Sequence, residues 1–114
     1  MDFRLEICAG SIESAINAQT AGAGRIELCD NLIEGGTTPS SGTIISAREN
    51  LSIGIHVIIR PRGGDFLYSG RELDIMRRDI EICGERGIDG VVLGILKEDG
   101  NVDIENTAAL IELA

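Results

Sequence analysis

A chain of 114 residues, 43 % hydrophobic but only 3 % aromatic, is long enough for one domain or less, with an aliphatic core. Its net charge of −9, with 10 basic side chains scattered among 19 acidic ones, excludes a nucleic-acid surface, which needs clustered Lys and Arg. The lack of a long apolar run, a basic amphipathic segment and a signal-peptide core argues against membrane association and predicts a cytoplasmic protein.

Short aliphatic segments alternate with segments of helical periodicity along the chain. The predicted strands are 4–8, 25–29, 55–60 and 90–96. The first predicted helix follows an N-cap at Ser11, and the second runs to about Asn50. The fourth begins near Ile104, after an N-cap at Asp103. The third has one apolar face, formed by Leu73, Met76, Ile80 and Cys83. Such alternation predicts an α/β fold with a parallel sheet.

The first three strands each alternate between an aliphatic face and a more polar face. The polar face carries Glu6, Cys8, Glu27, Cys29, His56, Ile58 and Arg60. A sheet covered by helices on both sides would be apolar on both faces. The alternation therefore favours a parallel (βα)8 TIM-type barrel, with the polar face lining the interior.

A complete barrel of this type takes ~250 residues. Residues 1–114 are therefore predicted to form a single domain, the N-terminal half of such a barrel, with about the first four βα units. Because an open half-barrel leaves strand edges unpaired, we also expect a homo-oligomer.

Two glycine-rich loops follow predicted strands, where barrel active sites lie. The first offers the hydroxyls of Thr37 and Ser40. The second carries Arg60, Arg62, Gly63, Gly64 and Asp65. Arginine guanidinium groups and exposed backbone amides can donate hydrogen bonds to a carboxylate or a phosphate, so these residues predict a small-anion site. The alternative for Arg60 is a structural ion pair with Glu6 or Glu27 inside the barrel.

The three cysteines have no CxxC spacing, which argues against a zinc ribbon or a disulfide framework. Cys8 and Cys29 occupy matching positions on adjacent predicted strands, where two thiolates could hold a soft ion such as Cu(I). The alternative is that both are small core residues, as is expected for Cys83. Zn(II) would need four ligands, for which His56 and Glu27 are candidates. His56 is also a candidate catalytic base or a core residue.

Three blocks of the sequence resemble successive signature blocks of the CutC family. They are LEICAGSIESAINAQTAGAGRIELCDNLIEGGTTPSSGTI, IIRPRGGDFLYSGRELDIMRRDI and GIDGVVLGILKEDGNVD. The resemblance implies a cytoplasmic (βα)8 barrel of roughly twice this length, a role in copper homeostasis, and copper binding through cysteines as proposed for some members. It also implies a cluster of Glu6, Glu27, Arg60, Arg62 and Asp65 at the barrel mouth. Gly24 departs from the aspartate usual in the family.

The sequence thus leaves three functions to weigh. The first is a CutC-like cytoplasmic protein of copper homeostasis that binds Cu(I) through Cys8 and Cys29. The second is a TIM-barrel enzyme that acts on a small anionic metabolite, with Glu6, Glu27 and His56 as candidate acid–base groups. The third is an inactive half-barrel that self-associates.

Overall fold

The computed structural model of the chain describes residues 2–114 and shows four βα units in succession. The strands are β1 (Glu6–Ala9), β2 (Arg25–Leu28), β3 (Gly54–Ile58) and β4 (Gly90–Val92). The helices are α1 (Ile12–Thr20), α2 (Ser41–Asn50), α3 (Gly70–Glu85) and α4 (Ile104–Leu113). The predicted alternation of strands and helices is confirmed.

Each helix begins after a side chain that accepts a hydrogen bond from a backbone N–H of the first turn. These N-caps are, from α1 to α4, Ser11, Ser40, Ser69 and Asp103. At α3 the Glu72 carboxylate also accepts from the backbone N–H of Ser69 at 2.8 Å, which completes a capping box. Local sequence therefore determines where all four helices begin.

The four strands form one parallel sheet in the order β1-β2-β3-β4. Its register aligns Cys8, Glu27, His56 and Gly90 in one row across the sheet. Parallel strands in chain order, each followed by a helix, are the arrangement of a TIM-type barrel, so the fold is α/β with a partial barrel. The outer strands β1 and β4 each pair on one side. Self-association through these edges stays a prediction.

The aliphatic face of the sheet packs against the helices and forms the core. Its most buried side chains, each no more than 1 % exposed, are Ile26, Leu28, Ile55, Val57 and Ile59. From α3, Met76, Ile80 and Cys83 pack into the same core, as their spacing predicts. The opposite face of the sheet, with Glu27 and His56 half-buried, is left free to carry function.

Two segments differ from the prediction. The fourth strand ends at Val92 rather than at residue 96, because its partner β3 ends at Ile58 and the chain then turns away. Leu96 instead forms an antiparallel bridge with Val102. The loop before α2 contains a 3-10 turn, Leu32–Glu34, that was not expected. None of the helices within residues 2–114 combines the length and apolar composition needed to cross a bilayer.

Candidate functional site

The loops after the strands meet at the carboxyl end of the sheet, which is the functional end of parallel α/β barrels. The loop between β2 and α2 contacts the end of β3 through backbone hydrogen bonds. Thr38 N donates to the Arg60 carbonyl at 3.0 Å, and Arg60 N donates to the Thr38 hydroxyl at 2.8 Å. The two glycine-rich loops identified from the sequence therefore form one connected surface.

Two thiols face each other on the polar side of β1 and β2. The Sγ atoms of Cys8 and Cys29 are 3.5 Å apart. Their arrangement differs from the expected one, because the register places Cys8 opposite Glu27 and Cys29 lies two residues further along the chain. The thiols are thus diagonal neighbours. Cys8 is exposed, whereas Cys29 is 2 % exposed, so one sulfur is accessible from solvent and the other is not.

Burial and its neighbours keep Cys29 protonated. Its Sγ lies 3.8 Å from both the backbone carbonyl and the carboxylate of Glu27. Burial, the nearby Cys8 thiol and the negative charge of Glu27 all raise the pKa of Cys29. Cys83, which packs into the core from α3, has its pKa raised to about 11, mainly by burial. A cation that binds Cys29 must therefore displace a proton.

His56 lies in the row next to Glu27, with Gly90 on its other side. The imidazole occupies the space that a side chain on Gly90 would fill, since a Cβ there would lie 2.7 Å from the His56 Nε2. Among the residues that the structure describes, no group of three His, Cys, Asp or Glu side chains could hold a metal ion. His56 and Glu27 therefore do not complete a four-ligand zinc site with the thiols.

Substituting Gly90→Ala tests this position of the imidazole. The added methyl group would displace His56, so we expect the free energy of unfolding to fall by about 1–3 kcal/mol. Urea denaturation measures the change, with Gly94→Ala as the matched control because a Cβ at Gly94 meets nothing within 4 Å. Equal effects of the two substitutions would contradict the placement of His56.

Glu6 lies at the other end of the sheet from the loops. It shares a row with Arg25 and Gly54 and forms an ion pair with Arg25. Arg60 lies six residues after Gly54, just beyond the end of β3. In an extended chain, six residues separate the two Cα atoms by about 20 Å. This separation corrects the expected grouping of Glu6 with the arginines at the barrel mouth, and it leaves Glu6 beside Arg25 rather than beside a ligand pocket.

Arg60 is 7 % exposed and joins the two loops. Its Nη1 donates to the carbonyls of Glu34 at 2.7 Å and Gly36 at 2.9 Å, and its Nη2 donates to the carbonyl of Gly64 at 2.8 Å. Within residues 2–114 no carboxylate lies within ion-pair distance of this guanidinium. The expected alternative, a pair with Glu6 or Glu27, is therefore wrong.

Arg62 is surrounded by protein acceptors. Its Nε donates to Glu72 at 2.8 Å, and its Nη2 donates to the Leu67 carbonyl at 2.7 Å and to Asp65 at 3.1 Å. The hydrogen bond from Arg62 is the main cause that lowers the pKa of the Glu72 carboxyl group. Because its donors are already used within the protein, Arg62 orders the loop before α3. Its predicted role in anion binding stays a prediction.

The other predicted anion ligands also have structural partners. Ser40 caps α2, and the Asp65 carboxylate accepts from the backbone N–H of Leu67 at 3.2 Å. The backbone of Thr37 pairs with Asp30 in an antiparallel bridge. Gly63 lies against the Glu34 carboxylate, which would have to move to admit a side chain there, and Gly64 supplies its carbonyl to Arg60. These residues build the loops around Arg60.

A cavity of about 230 Å³ opens at the carboxyl ends of β3 and β4. It is lined by Ile58, Ile59, Arg60, Phe66, Tyr68, Val92, Leu93 and Gly94. Phe66 and Tyr68 were not predicted as site residues; they lie between Gly64 and α3. The one available signal was that Tyr68 is the sole tyrosine of the chain. A cavity with an apolar wall and a few polar groups is typical of a small-molecule site.

These features define a partial TIM-type barrel protein. It has four parallel βα units, a thiol pair on the sheet and a buried arginine at the end of the sheet where the loops lie. The sequence profile of the CutC family matches residues 3–114. A family protein CutC of Chromobacterium violaceum is 60 % identical over 100 % of this chain and 46 % of its own length. The copper homeostasis protein cutC homolog of Homo sapiens is 50 % identical over 97 % of this chain and 41 % of its own length.

The chain belongs to the CutC family. The crystal structure of the CutC protein of Streptococcus agalactiae matches with a TM-score of 0.90 at 42 % identity, over 97 % of this chain and 55 % of that one. The chain thus spans about half the length of the relatives that it matches.

Proposed function

We propose that this chain contributes to copper homeostasis in the cytoplasm by binding one Cu(I) ion between Cys8 and Cys29. The proposal is carried by the facing thiols, whose Sγ atoms are 3.5 Å apart. It is supported by the similarity to the human and mouse proteins named copper homeostasis protein cutC homolog.

The chemistry of the donor set favours Cu(I) over other metal ions. Thiolates are soft ligands that select Cu(I), whereas a structural zinc site takes four ligands. The described residues offer two facing sulfurs and no set of three metal-binding side chains. Exposed Cys8 would receive the ion from solvent, and buried Cys29 would complete its coordination.

Copper affinity is expected to rise with pH. The raised pKa of Cys29 means that its thiol is protonated at neutral pH, so Cu(I) binding releases that proton. The apparent affinity should increase about tenfold per pH unit for each proton released, over the whole range below the raised pKa. An anaerobic competition titration against a chromophoric Cu(I) chelator, from about pH 6 to about pH 8, measures this slope and the stoichiometry.

A stoichiometry of one Cu(I) per chain with a positive slope is the expected result. Cu(I) affinity that does not change with pH would contradict a ligand role for Cys29, because a protonated thiol cannot bind the ion without losing its proton.

A further inference from the structure

Arg60 carries a buried positive charge whose hydrogen-bond partners are all neutral carbonyl groups. Its guanidinium donates to three backbone carbonyls and lies 5.0 Å from the centre of the Phe66 ring. Carbonyl dipoles and an aromatic face stabilise a cation only in part, and an unpaired buried charge is unfavourable. An anion beside Arg60 would balance it.

Two buried side chains that line the same cavity each carry an unsatisfied polar atom. Among the residues that the structure describes, three buried side-chain polar atoms have no partner, namely Arg60 Nε, the Tyr68 hydroxyl and Thr107 Oγ1. Arg60 and Tyr68 are 7 % and 8 % exposed, and both line the 230 Å³ cavity. Buried donors without partners are rare in proteins, so two residues that carry them beside one cavity support a ligand-binding role for it.

The rest of the cavity is apolar. Ile58, Val92 and Leu93 line it, and Gly94 contributes no side chain. The Tyr68 ring is held by the Arg62 guanidinium, 5.0 Å from the ring centre, so the position of the hydroxyl is fixed by the loop before α3. The cavity therefore combines an aliphatic wall with two hydrogen-bond donors and one positive charge.

We propose that this cavity binds a small carboxylate with a branched aliphatic body, whose carboxylate accepts hydrogen bonds from Arg60 Nε and the Tyr68 hydroxyl. Two donors match the two oxygens of a carboxylate, whereas a phosphate group presents three oxygens and would need more donors. The proposal does not depend on the thiol pair, and it is tested without copper.

Isovalerate is a suitable probe, with isovaleramide as its uncharged counterpart and inorganic phosphate as the competing anion. Each is titrated into the reduced, copper-free 114-residue chain and followed by calorimetry and by the NMR signal of the Arg60 Nε–H. We expect saturable 1:1 binding of isovalerate that shifts the Arg60 signal, with binding of isovaleramide and phosphate weaker by about tenfold or more. Failure of isovalerate to bind, or equal binding of the amide or phosphate, would overturn the proposal.

Tyr68→Phe separates a ligand-binding role from a structural one. The substitution keeps the ring and removes a hydroxyl for which residues 2–114 supply no hydrogen-bond partner of normal geometry. Isovalerate binding should weaken by about tenfold, while the melting temperature of the ligand-free chain stays equal or rises. Arg78→Gln, on the exposed side of α3, should bind as the parent chain does. Unchanged binding in Tyr68→Phe would overturn the proposal, and so would a lowered melting temperature without a change in binding.

Discussion

Replacing Cys8 and Cys29 together by serine is expected to abolish tight Cu(I) binding. The hydroxyl groups are hard, weakly acidic ligands that do not replace thiolates for a soft ion. Because the substitution removes both ligands rather than a supporting group, the affinity should fall by more than the ~10–100-fold typical of outer-shell changes. The competition titration against a chromophoric chelator, on fully reduced protein under anaerobic conditions, measures the loss.

Cys83→Ala provides the matched control for this experiment. Cys83 is also a buried free thiol, but it packs into the core from α3. Its removal should leave the Cu(I) affinity and stoichiometry unchanged, although it will reduce stability. Each single variant, Cys8→Ser or Cys29→Ser, should also lose most of the affinity because one sulfur is left. Tight binding retained by the double variant would show that the thiol pair is not the copper site.

The fold was predictable because local patterns determine its elements. Alternating residues in β2 and β3 identify the buried face, and Ser11 and Asp103 mark helix starts with a side chain that bonds the first turn. The end of β4 was not predictable in the same way. Residues 90–96 are apolar throughout, and only the partner strand, which ends at Ile58, decides where pairing stops.

The candidate site was predicted less completely, because it depends on contacts between elements. The sequence indicated that Cys8 and Cys29 share a face, but the register that makes them diagonal neighbours is set by how β1 and β2 pair. It also predicted both Arg60 and Arg62 as anion ligands, with a structural ion pair as an alternative for Arg60 only. Arg62 donates to the carboxylate of Glu72, ten residues later, whereas Arg60 donates only to backbone carbonyls. The periodicity of a sequence does not indicate which acceptors lie near a side chain in a folded loop.

Substituting Arg60→Met is expected to lower the free energy of unfolding by about 3 kcal/mol. The change leaves the carbonyls of Glu34, Gly36 and Gly64 without their donor in a mostly buried site, and each orphaned group costs about 1–3 kcal/mol. Removing the buried charge recovers part of this loss. The methionine retains apolar packing against Phe66, so the effect reports the hydrogen bonds that join the two loops. Urea denaturation followed by circular dichroism measures it.

The same substitution at an exposed site, Arg78→Met, is the control. Arg78 is 71 % exposed in its side chain and pairs with Asp74 one turn earlier on α3. A surface pair of this kind contributes little, so its loss should change the free energy of unfolding by less than about 0.5 kcal/mol. A difference of less than about 1 kcal/mol between the two variants would mean that the Arg60 hydrogen bonds add little to stability. The larger difference that we expect would make Arg60 the link that holds both loops in place around the cavity.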